Sequence, residues 1–173
     1  MKNKKKISYW NDTDFNENKS YWKNKPISEN LEVRIQNLKI LDKALKDADI
    51  FYFLEGNTLN FIYRYSKLDE NDHDDDVGIF LKDKEKLLGL EKKLNKLGFV
   101  IIRNNNDMIT VYRQKRYIDI CLFRKSFFKI GYGKKYFQKK YFELFQQLDY
   151  EGIKFNIPTL TNEFLKVRYD KKS

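Results

Sequence analysis

At 173 residues, with 35 Lys or Arg against 25 Asp or Glu and a formal charge of +10, the chain has material for one core and not two. Aromatic residues make up 16% of it, which supplies enough large apolar side chains to offset chain entropy despite 35% charged residues and excludes a disordered polyelectrolyte. The single cysteine, Cys121, excludes an internal disulfide and a multi-thiolate zinc site, and fits a reducing compartment.

The lysine-rich start is followed by no apolar stretch of signal-peptide length, and no run of about 18 apolar residues occurs, so the sequence predicts a cytoplasmic protein without a transmembrane segment. The positive charge suits nucleic acid, an anionic membrane face or a phosphorylated substrate, and equally suits a general Lys and Asn bias with no partner behind it. Peripheral membrane contact therefore stays open.

Residues 1–27 are polar and carry two similar pieces, Ser8-Tyr9-Trp10-Asn11 and Ser20-Tyr21-Trp22-Lys23; they read as an N-terminal arm ahead of a catalytic domain at 28–173. From Ser28, apolar residues at Leu31, Ile35, Leu38, Leu41, Leu45 and Ala48 trace one face of an amphipathic helix. Residues 50–54 form a short apolar run stopped by Glu55-Gly56, a strand delivering the chain into a turn, and residues 58–65 follow as a short helix. Past an acidic cluster, 77–81 reads as a strand, and Asp83 caps a helix through Leu97 that stops at Gly98. The runs 99–102, 108–112 and 117–123 are strand-like, with hairpin connections between them. Residues 134–148 are aromatic and basic without a period, and 162–169 suggests a last helix. The expected fold is α+β, one small mixed sheet flanked by helices.

The chemistry lies in Asp72-His73-Asp74-Asp75-Asp76, set directly before an apolar strand. In extended backbone alternate residues share a face, so Asp72, Asp74 and Asp76 project together while Asp75 points the other way. Such a row repels itself unless a cation neutralises it, and hard oxygen ligands suit Mg²⁺ or Mn²⁺, which in turn bind phosphate oxygens. Asp119, inside the apolar run Tyr117-Ile118-Asp119-Ile120-Cys121, would be costly to bury unpaired; it is expected at the same site as a ligand or as the base for an attacking hydroxyl. Gly56 at the strand-to-helix turn can bring backbone N–H groups against a phosphate. An EF-hand reading fails because Val77 stands where that loop needs glycine. His73, the only histidine, reads as a loop residue, and Cys121 as core.

With Gly56-Asn57-Thr58-Leu59 and Arg64 before it, the cluster resembles the LicD and fukutin family of phosphotransferases on a nucleotidyltransferase fold. Gly56, Thr58, Leu59 and Arg64 match a Gly-Gly-Thr-Leu-Leu-Gly stretch ending in Arg. Asp72, Asp74, Asp76 and Gly78 match Trp-Asp-Asp-Asp-Ile-Asp-Ile-Gly. Ile118-Asp119-Ile120 is similar to the family's later strand acid, and Ile157-Pro158 with the segment 163–169 to its closing Pro, Phe-Leu and Arg-Tyr elements. Asn57, Asn71, His73 and Asp75 depart from the pattern.

The resemblance implies a single nucleotidyltransferase-like domain that transfers a phospho-alcohol group, of the phosphocholine or alditol phosphate type, from a CDP-linked donor to a glycan hydroxyl. It implies catalytic Asp74, Asp76 and Asp119, metal ligands Asp72, Asp74 and Asp76, and substrate contacts at Gly56, Thr58 and Arg64. The alternatives are a nucleotidyltransferase modifying protein or RNA, and a non-enzymatic nucleic-acid-binding module resting on charge alone. On the motifs, nucleic acid is not an expected partner.

Overall fold

The computed structural model describes residues 27–169. The arm at 1–27 lies outside the described residues except for Ile27, which opens helix α1 (Ile27–Asp47). Its apolar stripe does what the spacing predicts: Leu38, Leu41 and Leu45 are buried, and Leu31, Ile35 and Ala48 pack at the margin. Strand β1 (Tyr52–Leu54) leads into α2 (Gly56–Tyr65), and β2 (Asp74–Phe80) follows. β2 starts three residues earlier than the apolar pattern suggests, so Asp74, Asp75 and Asp76 lie within a strand.

The helix expected from Asp83 to Leu97 is two short ones, α3 (Lys84–Gly89) and α4 (Glu91–Lys96), parted at Leu90. Asp83 makes no capping hydrogen bond with its side chain. Gly98, at φ +88°, provides the left-handed stop. Strands β3 (Val100–Asn104), β4 (Met108–Arg113) and β5 (Arg116–Lys125) form a meander, with Gln114 and Lys115 both at positive φ in the tight turn. β6 (Lys129–Tyr132) precedes the aperiodic stretch 134–148, which resolves into β7 (Lys135–Gln138), a 3-10 turn (Lys139–Phe142) and the start of β8 (Phe145–Tyr150), followed by β9 (Ile153–Pro158) and α5 (Thr161–Tyr169).

The main sheet runs β1-β2-β5-β4-β3, with β6 on the far end of β5 and β7 on β6. Only the β2–β5 pair is parallel among the described strands, and its register sets Asp74 beside Tyr117 and Asp76 beside Asp119. β8 and β9 make a separate hairpin, tied to β1 where Asn156 Nδ2 donates to the Tyr52 carbonyl at 2.6 Å. The core is aromatic: the Phe53 and Phe123 rings meet edge to face at 5.0 Å, and Phe142 joins Phe123 to Phe164. No helix among the described residues is long and apolar enough to cross a membrane.

Candidate active site

A cavity of about 590 Å³ opens between the first residues of α2, the acids of β2 and β5, the β6–β7 turn and the end of α5. Asp74, Asp76 and Asp119 all line it, and one carboxylate oxygen from each lies within 4.8 Å of the others. Alternation along β2 gives Asp74 and Asp76 one face, and the parallel register delivers Asp119 to it from a strand more than forty residues away.

Each acid is held. Thr58 Oγ1 accepts the Asp76 backbone N–H at 2.8 Å, so the threonine of the Gly-Asn-Thr segment positions an acid directly. Thr110 Oγ1 donates to Asp119 Oδ1 at 2.5 Å, and Arg103 Nη1 lies 4.0 Å from Asp119 Oδ2. Gly56 stands at φ +59°, and a Cβ there would fall 2.1 Å from Asp76 Oδ2 and 2.9 Å from its Cβ. The helix start and the strand acid are thus packed against each other through the missing side chain. Gly56→Ala should displace Asp76, costing about 1–2 kcal/mol in stability from the left-handed backbone alone and about tenfold or more in kcat. Parent-like turnover in that variant would show that this contact does not position the acid.

Asp72 sits apart from the three. Asn57 Nδ2 donates to its Oδ2 at 2.8 Å, the His73 backbone N–H donates to its Oδ1, and its metal-ligating geometry is with His73 and Asp74. β2 begins only at Asp74, so alternation does not extend to Asp72, and the expected Asp72–Asp74–Asp76 row becomes Asp74–Asp76–Asp119 with Asp72 bonded behind Asp74. Arg64 is exposed in the last turn of α2 and does not line the cavity; Gly56 lines it, and Thr58 acts through Asp76.

Asp75 points to the other side, as alternation requires, and there it meets Arg34 of α1. Arg34 Nη2 and Nε donate to Asp75 Oδ1 and Oδ2 at 2.9 and 3.1 Å, and the same guanidinium donates to the carbonyls of Asp69, Asp72 and Asp74. Both side chains are almost fully buried. One arginine therefore anchors the acidic segment by its backbone while neutralising the acid that faces inward.

Three further residues shape the cavity. Glu55, fully buried, accepts from Tyr132 Oη at 3.3 Å and forms an ion pair with Arg168 of α5. Arg168 lines the cavity, its Nε without a hydrogen-bond partner among the described residues, and Lys134 and Lys135 stand on the same wall. The cavity that holds the acids therefore also carries three cationic side chains.

The acids strain one another electrostatically. Burial, then the charge of Asp76, pushes the Asp74 carboxyl up to about 9; burial, then Asp119 and Glu55, pushes Asp76 well above the carboxylate range. Asp72 moves the other way: burial opposes the shift, but hydrogen bonds from Asp74 and Asn57 outweigh it. Asp74 and Asp76, which resist ionising together with Asp119 beside them, make a set that a hard divalent cation satisfies, and oxygen-only ligands fit Mg²⁺ or Mn²⁺.

A pH dependence follows for the metal-free protein. The folded pKa of Asp74 lies above the ordinary carboxylate value of about 3.9, so its contribution is fully present below that value and is lost as pH rises toward about 9. With EDTA, parent stability relative to Asp74→Asn should fall between pH 5 and 9, as read by paired thermal melts; a flat or rising difference would contradict the strain.

No protein-family model and no curated protein matches this chain. Among solved structures, the fold is similar to that of the lincosamide antibiotic adenylyltransferase LnuA bound to lincomycin, at a TM-score of 0.51 and 16% identity, covering 80% of this chain and 88% of that one. It is also similar to the antibiotic-resistance factor ANT(2'')-Ia, at a TM-score of 0.53 and 9% identity, covering 72% of this chain and 66% of that one. The chain has a nucleotidyltransferase-like α+β fold. Neither neighbour is a LicD or fukutin protein, and the likeness supports the fold that resemblance implied without supporting that family.

Proposed function

We propose that this protein is a metal-dependent nucleotidyltransferase that moves a nucleoside monophosphate from a nucleoside triphosphate to an acceptor hydroxyl. The observation that carries the reading is the meeting of Asp74, Asp76 and Asp119 beside the Gly56 helix start, in a cavity also lined by Lys134, Lys135 and Arg168, on this fold. It is preferred here to CDP-linked phospho-alcohol transfer, because of the neighbours named above one is an adenylyltransferase and the other an antibiotic-resistance factor.

The acceptor oxygen attacks the α-phosphorus, the bond to pyrophosphate breaks, and the hydroxyl proton passes to Asp119, whose carboxylate Thr110 holds in place. Asp74, Asp76 and Asp119 would hold a divalent cation, which supplies charge neutralisation to the phosphates. Arg168, held by Glu55 and Tyr132, and Lys134 and Lys135 stabilise the departing pyrophosphate charge. The Gly56-Asn57 start of α2, which also lines the cavity, adds its backbone dipole.

A second reading retains the transfer of phosphocholine or alditol phosphate from a CDP-linked donor to a glycan. One observation favours it: Arg168 and Tyr169, the closing Arg-Tyr of the LicD resemblance, line the cavity with the acids. The two readings break different bonds. The protein should be given the four nucleoside triphosphates labelled at the α-phosphate, or CDP-choline, CDP-glycerol and CDP-ribitol, with Mg²⁺ or Mn²⁺ and hydroxyl acceptors including lincomycin and glycans. Labelled nucleotide on the acceptor with pyrophosphate release is the expected result, falling about 10²–10⁴-fold in Asp119→Asn and unchanged in Arg64→Ala. Release of CMP from a CDP donor, with no triphosphate consumed, would overturn nucleotidyl transfer in favour of the second reading.

A further inference from the structure

The loop joining β5 to β6 carries the two most exposed large apolar side chains among the described residues, Phe127 at 85% and Phe128 at 75%. Scattered exposed apolar residues need no explanation, but two adjacent phenylalanines at one tip do. They are presented by an ordered turn: Ser126 donates to the Lys129 carbonyl through its N–H at 2.8 Å and its Oγ at 2.9 Å, and the Lys139 N–H donates to the Phe128 carbonyl. The rings pack edge to face at 4.5 Å, a paired wedge.

Along the chain, the charge on either side of the wedge has one sign. Every charged residue in 120–142 is Lys or Arg. Lys125 and Lys129 flank the pair, Lys139 is joined to it by the backbone bond above, and Lys129 and Lys139 have no ion pair among the described residues. Next to the loop at Lys125, the side chains of Phe80, Leu81 and Phe123 form a largely apolar cleft of about 400 Å³ also lined by Lys82, Arg124 and Lys125.

We propose that this hairpin tip docks the protein on an anionic phospholipid surface, with Phe127 and Phe128 entering the headgroup boundary and the surrounding lysines meeting lipid phosphates. The combination is that of an interfacial anchor: a small apolar insertion, too weak alone, supplemented by basic residues within a Debye length of the surface. A nucleic-acid platform fits less well, because it sets its aromatics along a basic groove that tracks the backbone, whereas these stand on a convex tip.

The test is vesicle flotation of the full chain at low salt, comparing phosphatidylcholine alone with the same lipid carrying phosphatidylglycerol. The parent should float with the anionic vesicles and not with the neutral ones. Phe127→Ser with Phe128→Ser should bind about tenfold more weakly or worse, with unchanged melting temperature and turnover, since neither residue lies in the cavity. Three results would overturn the proposal: no flotation with anionic vesicles, flotation that survives loss of both rings, or a dimer or single-stranded RNA complex that depends on the rings while vesicles do not bind.

Discussion

Asp75→Asn should destabilise the protein by about 3–5 kcal/mol, because it leaves the Arg34 guanidinium buried without its countercharge. The substitution keeps volume and even some hydrogen bonding, so the loss is electrostatic. Arg34 also holds the carbonyls of Asp69, Asp72 and Asp74, so an unsettled guanidinium loosens the backbone carrying the acids. Denaturant unfolding of parent and variant measures the effect, which should be the same with EDTA and with Mn²⁺. A variant as stable as the parent would mean that the pair contributes nothing net, and a metal-dependent effect would place Asp75 at the site.

Asp76→Asn, one residue along, should have the opposite sign. Without metal, removing one of three mutually repelling carboxyls should leave stability equal or higher; turnover should fall about 10³-fold or more, and the stabilisation by Mn²⁺ should largely vanish. Thermal unfolding with EDTA and with Mn²⁺, beside a turnover assay, separates the cases. An acid in a solvated loop predicts no change in either, and one paired to a lysine predicts destabilisation without metal. A variant retaining the full Mn²⁺ shift would remove the basis of the proposed chemistry.

Much of this was legible because it is local. The α1 stripe, the meander strands and the alternation of Asp74, Asp75 and Asp76 follow from period alone. Asp119 was conspicuous as a charge inside an apolar run, and the same signal exposes what was missed. Arg34 falls on the stripe between Leu31 and Leu38, and Arg168 is four residues past Phe164 and three past Leu165, so both are charges on buried helix faces. Arg64 is out of phase with Thr58, Leu59 and Ile62, the buried side chains that follow Gly56 in its own helix, which is why it points to water. Glu55 had no such mark, because its partners Tyr132 and Arg168 come from β6 and α5 and only tertiary packing reveals them. The early start of β2 was hidden because three acids look like loop; the parallel ladder to β5 and the Arg34 bonds overrule that preference.

The register between β2 and β5 also makes catalysis a check on assembly. A slip of one residue would set Ile118 or Ile120 where Asp119 belongs and turn the carboxylate into the apolar layer behind the sheet, so a misregistered molecule would be both unstable and inert. Between the two strands the chain must first complete α3, α4, β3 and β4, which makes this contact a distant one in sequence. Refolding molecules would therefore regain turnover only once this long-range pairing has formed, and an activity assay would count correctly threaded sheets.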